Sequence, residues 1–142
     1  MVTEAAGEDG QRFVWNSGAE AKGTGLKLAR KFGGRGRHGV ISAFGSFHGR
    51  TLAALAATGQ PAKHEPFFPM PDGFRHVVFN DIAALEAAID PSVAAVLLEP
   101  VQGEGGVLPA DDQYLRDVRA LCDERGLLLM HDEIQTGFGH TD

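Results

Sequence analysis

The sequence predicts an α/β fold: a mostly parallel sheet with helices on both faces. Three observations predict it. Val93 to Leu98 and Leu127 to Met130 are wholly apolar runs of strand length. Neither alternates with polar residues, so each is expected to be buried on both faces, as parallel strands under helices are. Short apolar runs also alternate with longer helix-period segments, the strand–helix–strand order of layered α/β proteins.

The elements follow in order. Phe13-Val14-Trp15 reads as a strand, and Gly18 to Phe32 as a helix with Leu26, Leu28 and Ala29 among its buried candidates. Val40 to Phe44 reads as a strand and Thr51 to Thr58 as a helix. A proline-rich loop (Pro61, Pro66, Pro69, Pro71) leads to a strand at His76 to Phe79. Asp81 caps a helix running through Ile89. After the strand Val93 to Leu98, Asp111 to Arg125 forms a helix stopped by Gly126, and Leu127 to His131 is the last strand. No repeat or low-complexity linker interrupts this order. Neither end carries the marks of a domain boundary.

Composition narrows the function. The 142 residues suit one domain or part of one. With 43% hydrophobic and 23% charged residues, the chain is an ordinary globular one rather than disordered or fibrous. A net charge of -6 argues against nucleic-acid binding, and Arg35-Gly36-Arg37-His38 reads as a solvated loop. Cys122 is the only cysteine, so no intrachain disulfide or cysteine-based metal framework is expected. Met1 to Gly10 is polar and acidic, unlike a secretory signal. The apolar runs are too short to cross a bilayer. Cytoplasmic residence, away from membranes, is the expectation.

Four segments carry candidate chemistry. Asn16-Ser17-Gly18-Ala19-Glu20-Ala21 joins a strand to a helix, with the capping-box spacing at Ser17 and Glu20. A helix start at a strand's carboxyl end suits phosphate; alone, the hexapeptide favours an ordinary capped helix. Ser46-Phe47-His48-Gly49-Arg50-Thr51 offers a ring to stack on a flat ligand and a guanidinium to clamp a carboxylate. A surface loop explains it equally well. Leu98-Glu99-Pro100-Val101-Gln102-Gly103-Glu104-Gly105-Gly106 places carboxylates after a buried strand, where charge is costly unless used or paired. A simple turn explains its glycines but not Glu99. His131-Asp132-Glu133-Ile134-Gln135-Thr136-Gly137 ends the last strand with an acid able to pair with a protonated ring nitrogen. A strand end meeting water is the competing view, weakened by there being two such acidic ends.

Three superficial matches fall away. Gly34 to Gly39 fits G-x-G-x-x-G but follows a helix and precedes a strand, the reverse of a dinucleotide site. Gly45 to Gly49 lacks the glycine two residues before the serine of a nucleophile elbow. His131-Asp132-Glu133 has no partners at metal-ligand spacing, so no metal is expected.

In order, the four segments resemble the class III, fold-type I aminotransferases, from about Gln11 to the end. Ala57-Thr58-Gly59-Gln60-Pro61 resembles the acetylornithine branch. The resemblance implies the large, cofactor-binding domain of an aspartate aminotransferase-like fold, pyridoxal 5'-phosphate as cofactor and a homodimeric parent. It implies amino-group transfer from N-acetylornithine to 2-oxoglutarate in arginine biosynthesis. Ornithine and succinylornithine aminotransferases are neighbouring alternatives, and a non-catalytic remnant is the alternative from outside enzymology.

Residue by residue, it implies that Ser17, Gly18 and Ala19 bind the phosphate and that Phe47 stacks on the pyridine ring. Asp132 pairs with the ring nitrogen and Gln135 contacts the phenolic oxygen. Arg50 holds the substrate carboxylate, Glu104 gates the amino end of the substrate pocket, and Glu99 supports that acidic corner.

The sequence also departs from the pattern. The family's cofactor-bearing lysine follows the aspartate by a couple of dozen residues, beyond Asp142. Lys22, Lys27, Lys31 and Lys63, the chain's four lysines, all lie upstream. Residues 1–142 are thus expected to be an internal piece of the large domain, without the N-terminal segment or the small domain. Such a piece is expected to bind the cofactor weakly at most and not to transaminate. Gly23 and Gly25 stand where helix formers are common, each costing roughly 0.8–1 kcal/mol against alanine. His140 stands for an arginine, Asp142 for a glycine and His131 for an apolar residue.

Overall fold

The computed structural model describes residues 14–104 and 106–134. Helix α1 (Gly18–Gly33) starts where Ser17, in extended conformation, accepts the Glu20 N–H on Oγ at 3.3 Å. Arg30 and Lys31 sit in its last turn, where cations favour the helix dipole. Leu26 and Ala29 are buried, whereas Leu28 is 58% exposed. Two residues turn a helix by ~200°, so Leu28 cannot share the face of Leu26. Val14 and Trp15 are exposed and lie outside any strand. Among the described residues their strand-favouring side chains have no neighbouring strand to pair with. Phe13 falls outside the described residues.

The sheet is built from β1 (Gly39–Ala43), β2 (Phe74–Val77), β3 (Val93–Leu98) and β6 (Leu128–His131). Its order is β2-β1-β3-β6 and every pairing is parallel. Between these strands lie α2 (Leu52–Ala57), α3 (Pro61–His64), α4 (Ile82–Ala88) and α5 (Asp112–Arg125). As anticipated, Asp81 caps α4 by accepting the Ala84 N–H at 3.0 Å. Gly126, at φ 66°, ends α5 in the left-handed conformation that glycine tolerates.

Some boundaries move. β2 begins at Phe74 and stops at Val77, because its register pairs Val40 with Phe74 and Ala43 with Val77. Beyond Ala43 the chain after β1 turns at Gly45, so Val78 and Phe79 have no strand to pair with among the described residues. The proline-rich stretch contains α3, with Pro61 at its first turn, and a 3-10 turn at Glu65–Phe67. β4 (Val101–Gln102) and β5 (Leu108–Pro109) form a small hairpin not apparent in the sequence. β6 is half-buried rather than buried on both faces, because it is an edge strand among the described residues.

Two cores confirm the layers. Ile41, Val96, Leu98, Leu85 and Val118 pack on the face covered by α4 and α5. Val40, Ala95, Leu97, Leu26 and Ala57 pack on the opposite face, under α1 and α2. Alternation along β1 and β3 sends consecutive side chains into different cores, which explains why β3 has no polar residue and β1 only Ser42, whose hydroxyl donates to the Ala57 carbonyl at 2.5 Å.

Candidate active site

From β1 the chain crosses to β2 on one side, while β3 leads to β6 on the other. Strand connections therefore diverge at the β1–β3 boundary, and the carboxyl ends of these strands leave a crevice there. A cavity of about 380 Å³ occupies that position. It gathers Gly18 and Ala19 from the start of α1, Phe47 and Arg50 from the loop after β1, Glu99 from the end of β3, and Asp132 from the end of β6. Six sequence-selected residues, spread over more than a hundred positions, thus share one cleft.

Two glycines let neighbouring elements pack closely beside the cleft at α1. A Cβ on Gly18 would lie 2.3 Å from Ile134 Cδ1. Gly49, at φ 136°, would meet the Cβ atoms of Ala54 and Ala19 at 3.0 and 3.1 Å. Ser17 stands just outside the lining and spends its hydroxyl on the helix cap.

Asp132 is the best-held acid. Its Oδ2 lies 2.7 Å from His48 Nδ1 and 2.7 Å from Lys22 Nζ. Burial pushes its acidity toward the neutral form, but hydrogen bonds from His48 and Lys22 outweigh that and hold the carboxyl below its ordinary range. His48 is fully buried, and its Nε2 has no hydrogen-bond partner among the described residues.

Glu99 contrasts with it. Burial pushes it up to about 7, opposed by one hydrogen bond among the described residues: the Phe47 N–H reaches its Oε2 at 3.3 Å. Asp132 raises it further. Near neutrality Glu99 is thus divided between its two protonation states. The two acids of the cleft are pushed in opposite directions by their surroundings.

Glu104 is brought near but not into the cleft. It is exposed and accepts hydrogen bonds from Lys63 Nζ at 2.7 Å and Gln60 Nε2 at 2.9 Å, which lower its pKa. Lys63 Nζ in turn sits 4.9 Å from the centre of the Phe47 ring. A second cavity of about 370 Å³ adjoins, sharing Phe47 and Arg50 and walled by Leu55 and Phe67. Gln135 lies outside the described residues. No group of three or more potential metal ligands occurs among the described residues.

Two site residues went unassigned in the sequence: Lys22 and His48. Lys22 follows Gly18 by four positions, so it lies on the helix face that opens on the cleft. That spacing was a usable signal. His48 lies within the Phe47–Arg50 loop, but nothing in the sequence reveals a contact 84 residues away.

The profile of the family described as "Aminotransferase class-III" matches residues 1–142. The chain is 53% identical over 129 residues to the acetylornithine aminotransferase of Methanothermobacter thermautotrophicus, covering 91% of this chain and 33% of that one. It is 50% identical over 133 residues to the acetylornithine aminotransferase of Neisseria meningitidis (strain Z2491), covering 91% and 34%. It spans about a third of the length of these curated relatives. Among solved structures, an ornithine aminotransferase from Toxoplasma gondii, described with partial occupancy of PLP at its active site, superposes with a TM-score of 0.81. That match has 38% identity and covers 87% of this chain and 31% of the other.

Proposed function

The chain belongs to the class-III aminotransferase family, and from that premise we propose that it builds the cofactor cradle of an enzyme moving an amino group from N-acetylornithine to 2-oxoglutarate. One observation carries the reading: Gly18, Ala19, Phe47, Arg50, Glu99 and Asp132 line a single crevice at the point where the strand connections diverge. The cofactor in this reading is pyridoxal 5'-phosphate, and the chain forms part of the large domain that holds it.

The residues present fit that group. The cleft's volume lies within the ~300–1,000 Å³ range of small-molecule sites, and Gly18 and Ala19 put no long side chain into its lining at the start of α1. A capped helix start supplies free N–H groups and a positive dipole end for the phosphate. Bound there, pyridoxal 5'-phosphate would supply the electron sink that amino transfer needs.

The protein's part is positioning. Gly18 and Ala19 would receive the phosphate at the start of α1, with Ser17 completing the turn. Phe47 would cover one face of the ring. Asp132, kept ionised by its donors, would accept the proton-bearing ring nitrogen. Gln135 would contact the phenolic oxygen. Arg50 would clamp a substrate carboxylate, with Glu104 and its lysine partner Lys63 at the mouth. Glu99 would keep the adjoining corner near neutral charge. A cytoplasmic, homodimeric parent belongs to this reading. The exposed Phe67 and Phe68 support a second subunit covering that face, and a full protein that sediments as a monomer would count against it.

Absorbance titration with pyridoxal 5'-phosphate tests the cradle. Saturable binding is expected, weakened about tenfold or more by Asp132→Asn, which removes the charge facing the ring nitrogen. Titration without saturation, or an Asp132→Asn protein that binds equally well, overturns the proposal. For the donor, the full-length protein is expected to be fastest with N-acetylornithine among N-acetylornithine, ornithine and N-succinylornithine. A clear preference for another donor overturns that part alone.

A further inference from the structure

Asp132 Oδ2 takes two donors at once, Lys22 Nζ and His48 Nδ1, each at 2.7 Å. All three groups are shielded: the side chains of Lys22, His48 and Asp132 are 12%, 0% and 3% exposed. The other carboxylate oxygen, Oδ1, has only a long 3.4 Å contact from the Ile134 N–H among the described residues. Among the described residues, one oxygen therefore holds two short contacts and the other none.

We propose, resting on the reading of Asp132 as the partner of the ring nitrogen, that Lys22 is a positioning residue that neutralises Asp132 and lowers the proton affinity of a pyridine nitrogen docked against it. With Oδ2 held by Lys22 and His48, the incoming nitrogen meets Oδ1, so ligand and lysine occupy the carboxylate together. The nitrogen then faces a carboxylate whose charge an ammonium already offsets. A cation a few ångströms away disfavours adding a second positive charge, and the low exposure limits screening by water.

The placement follows from the helix. Lys22 lies one turn beyond Gly18, so α1 delivers both the phosphate-facing backbone and the ammonium. The other charged or titratable groups facing Asp132 are His48 from the loop after β1 and Glu99 from the end of β3; Arg50 stands across the cleft and Glu133 follows in the chain. Lys22 is the only lysine among them. Both donors favour the charged carboxylate, by hydrogen bond and by charge. Neutral and cationic replacements at position 22 isolate the share of the lysine.

The probe is pyridoxine 5'-phosphate carrying 15N in its ring. It has no aldehyde and so cannot form a bond with any lysine. The 15N shift of the bound probe is followed against pH in the natural chain and in Lys22→Met, Lys22→Gln and Lys22→Arg. The two neutral variants guard against one failing to fold. In both, the ring nitrogen's proton affinity is expected to rise about tenfold or more, while Lys22→Arg retains the natural titration. Superimposable titrations in all forms overturn the inference and leave the cradle reading standing. Absence of binding in every form overturns the cradle reading and this inference with it.

Discussion

Glu99 and Asp132 show how far one side chain's surroundings can set its chemistry. Both are buried acids at strand ends, yet Asp132 has two cationic or polar donors and Glu99 has one backbone N–H. For Glu99 the folded value, about 7, lies above the unfolded value of 4.5. Folding therefore favours its protonated form, and its contribution to stability is full below pH 4.5 and lost as pH rises through 7. Glu99→Gln keeps the shape and an acceptor for the Phe47 N–H without the charge. The variant is expected to unfold at a higher temperature than the natural chain at pH 8, with the advantage vanishing near pH 4.5. Thermal melts at the two pH values check this, and an equal difference at both would refute it. At this scale the acids were legible because charge after an apolar run is conspicuous. Their donors were not. Lys22 looks like any solvated helix lysine, and the partner of His48 depends on how β1 and β6 are arranged around β3.

Elements were read most surely where periodicity and caps agreed. α4, β3 and α5 fall where Asp81, the apolar run and Gly126 put them. The misread pieces are those decided by partners rather than by their own residues. Val14-Trp15 has strand composition without a strand beside it among the described residues, and β2 is cut at Val77 by the turn at Gly45 that follows β1. The β4–β5 hairpin has two-residue strands, below any periodic signal. Helix α1 carries a correctable weakness in Gly23, around which a Cβ would meet nothing within 4 Å. Gly23→Ala is expected to stabilise the fold by roughly 0.8–1 kcal/mol through helix propensity. A urea unfolding curve would show the higher midpoint. No change, or a lower midpoint, would mean that the helix interior is not as open as its geometry indicates.

Across the whole molecule, the two cores hold the sheet between helices and so fix where the strand ends can meet. Leu85, fully buried from α4 in the larger core, is expected to cost ~2–5 kcal/mol when cut to alanine, because the void left behind adds to the lost burial. Against a typical domain stability of ~5–15 kcal/mol, that is a large share. Urea denaturation followed by circular dichroism measures it, and a loss below ~1 kcal/mol would show that this core collapses around the gap. The contact between His48 and Asp132 has a consequence at the same scale. It bridges the loop after β1 to the end of β6 across the intervening strand. Such a clasp cannot fasten until β1, β3 and β6 are aligned, because loop closure over so long a stretch comes before its reward. The crevice at the strand ends is therefore a late product of folding, and a chain halted with only its first strands assembled has not yet brought its walls together.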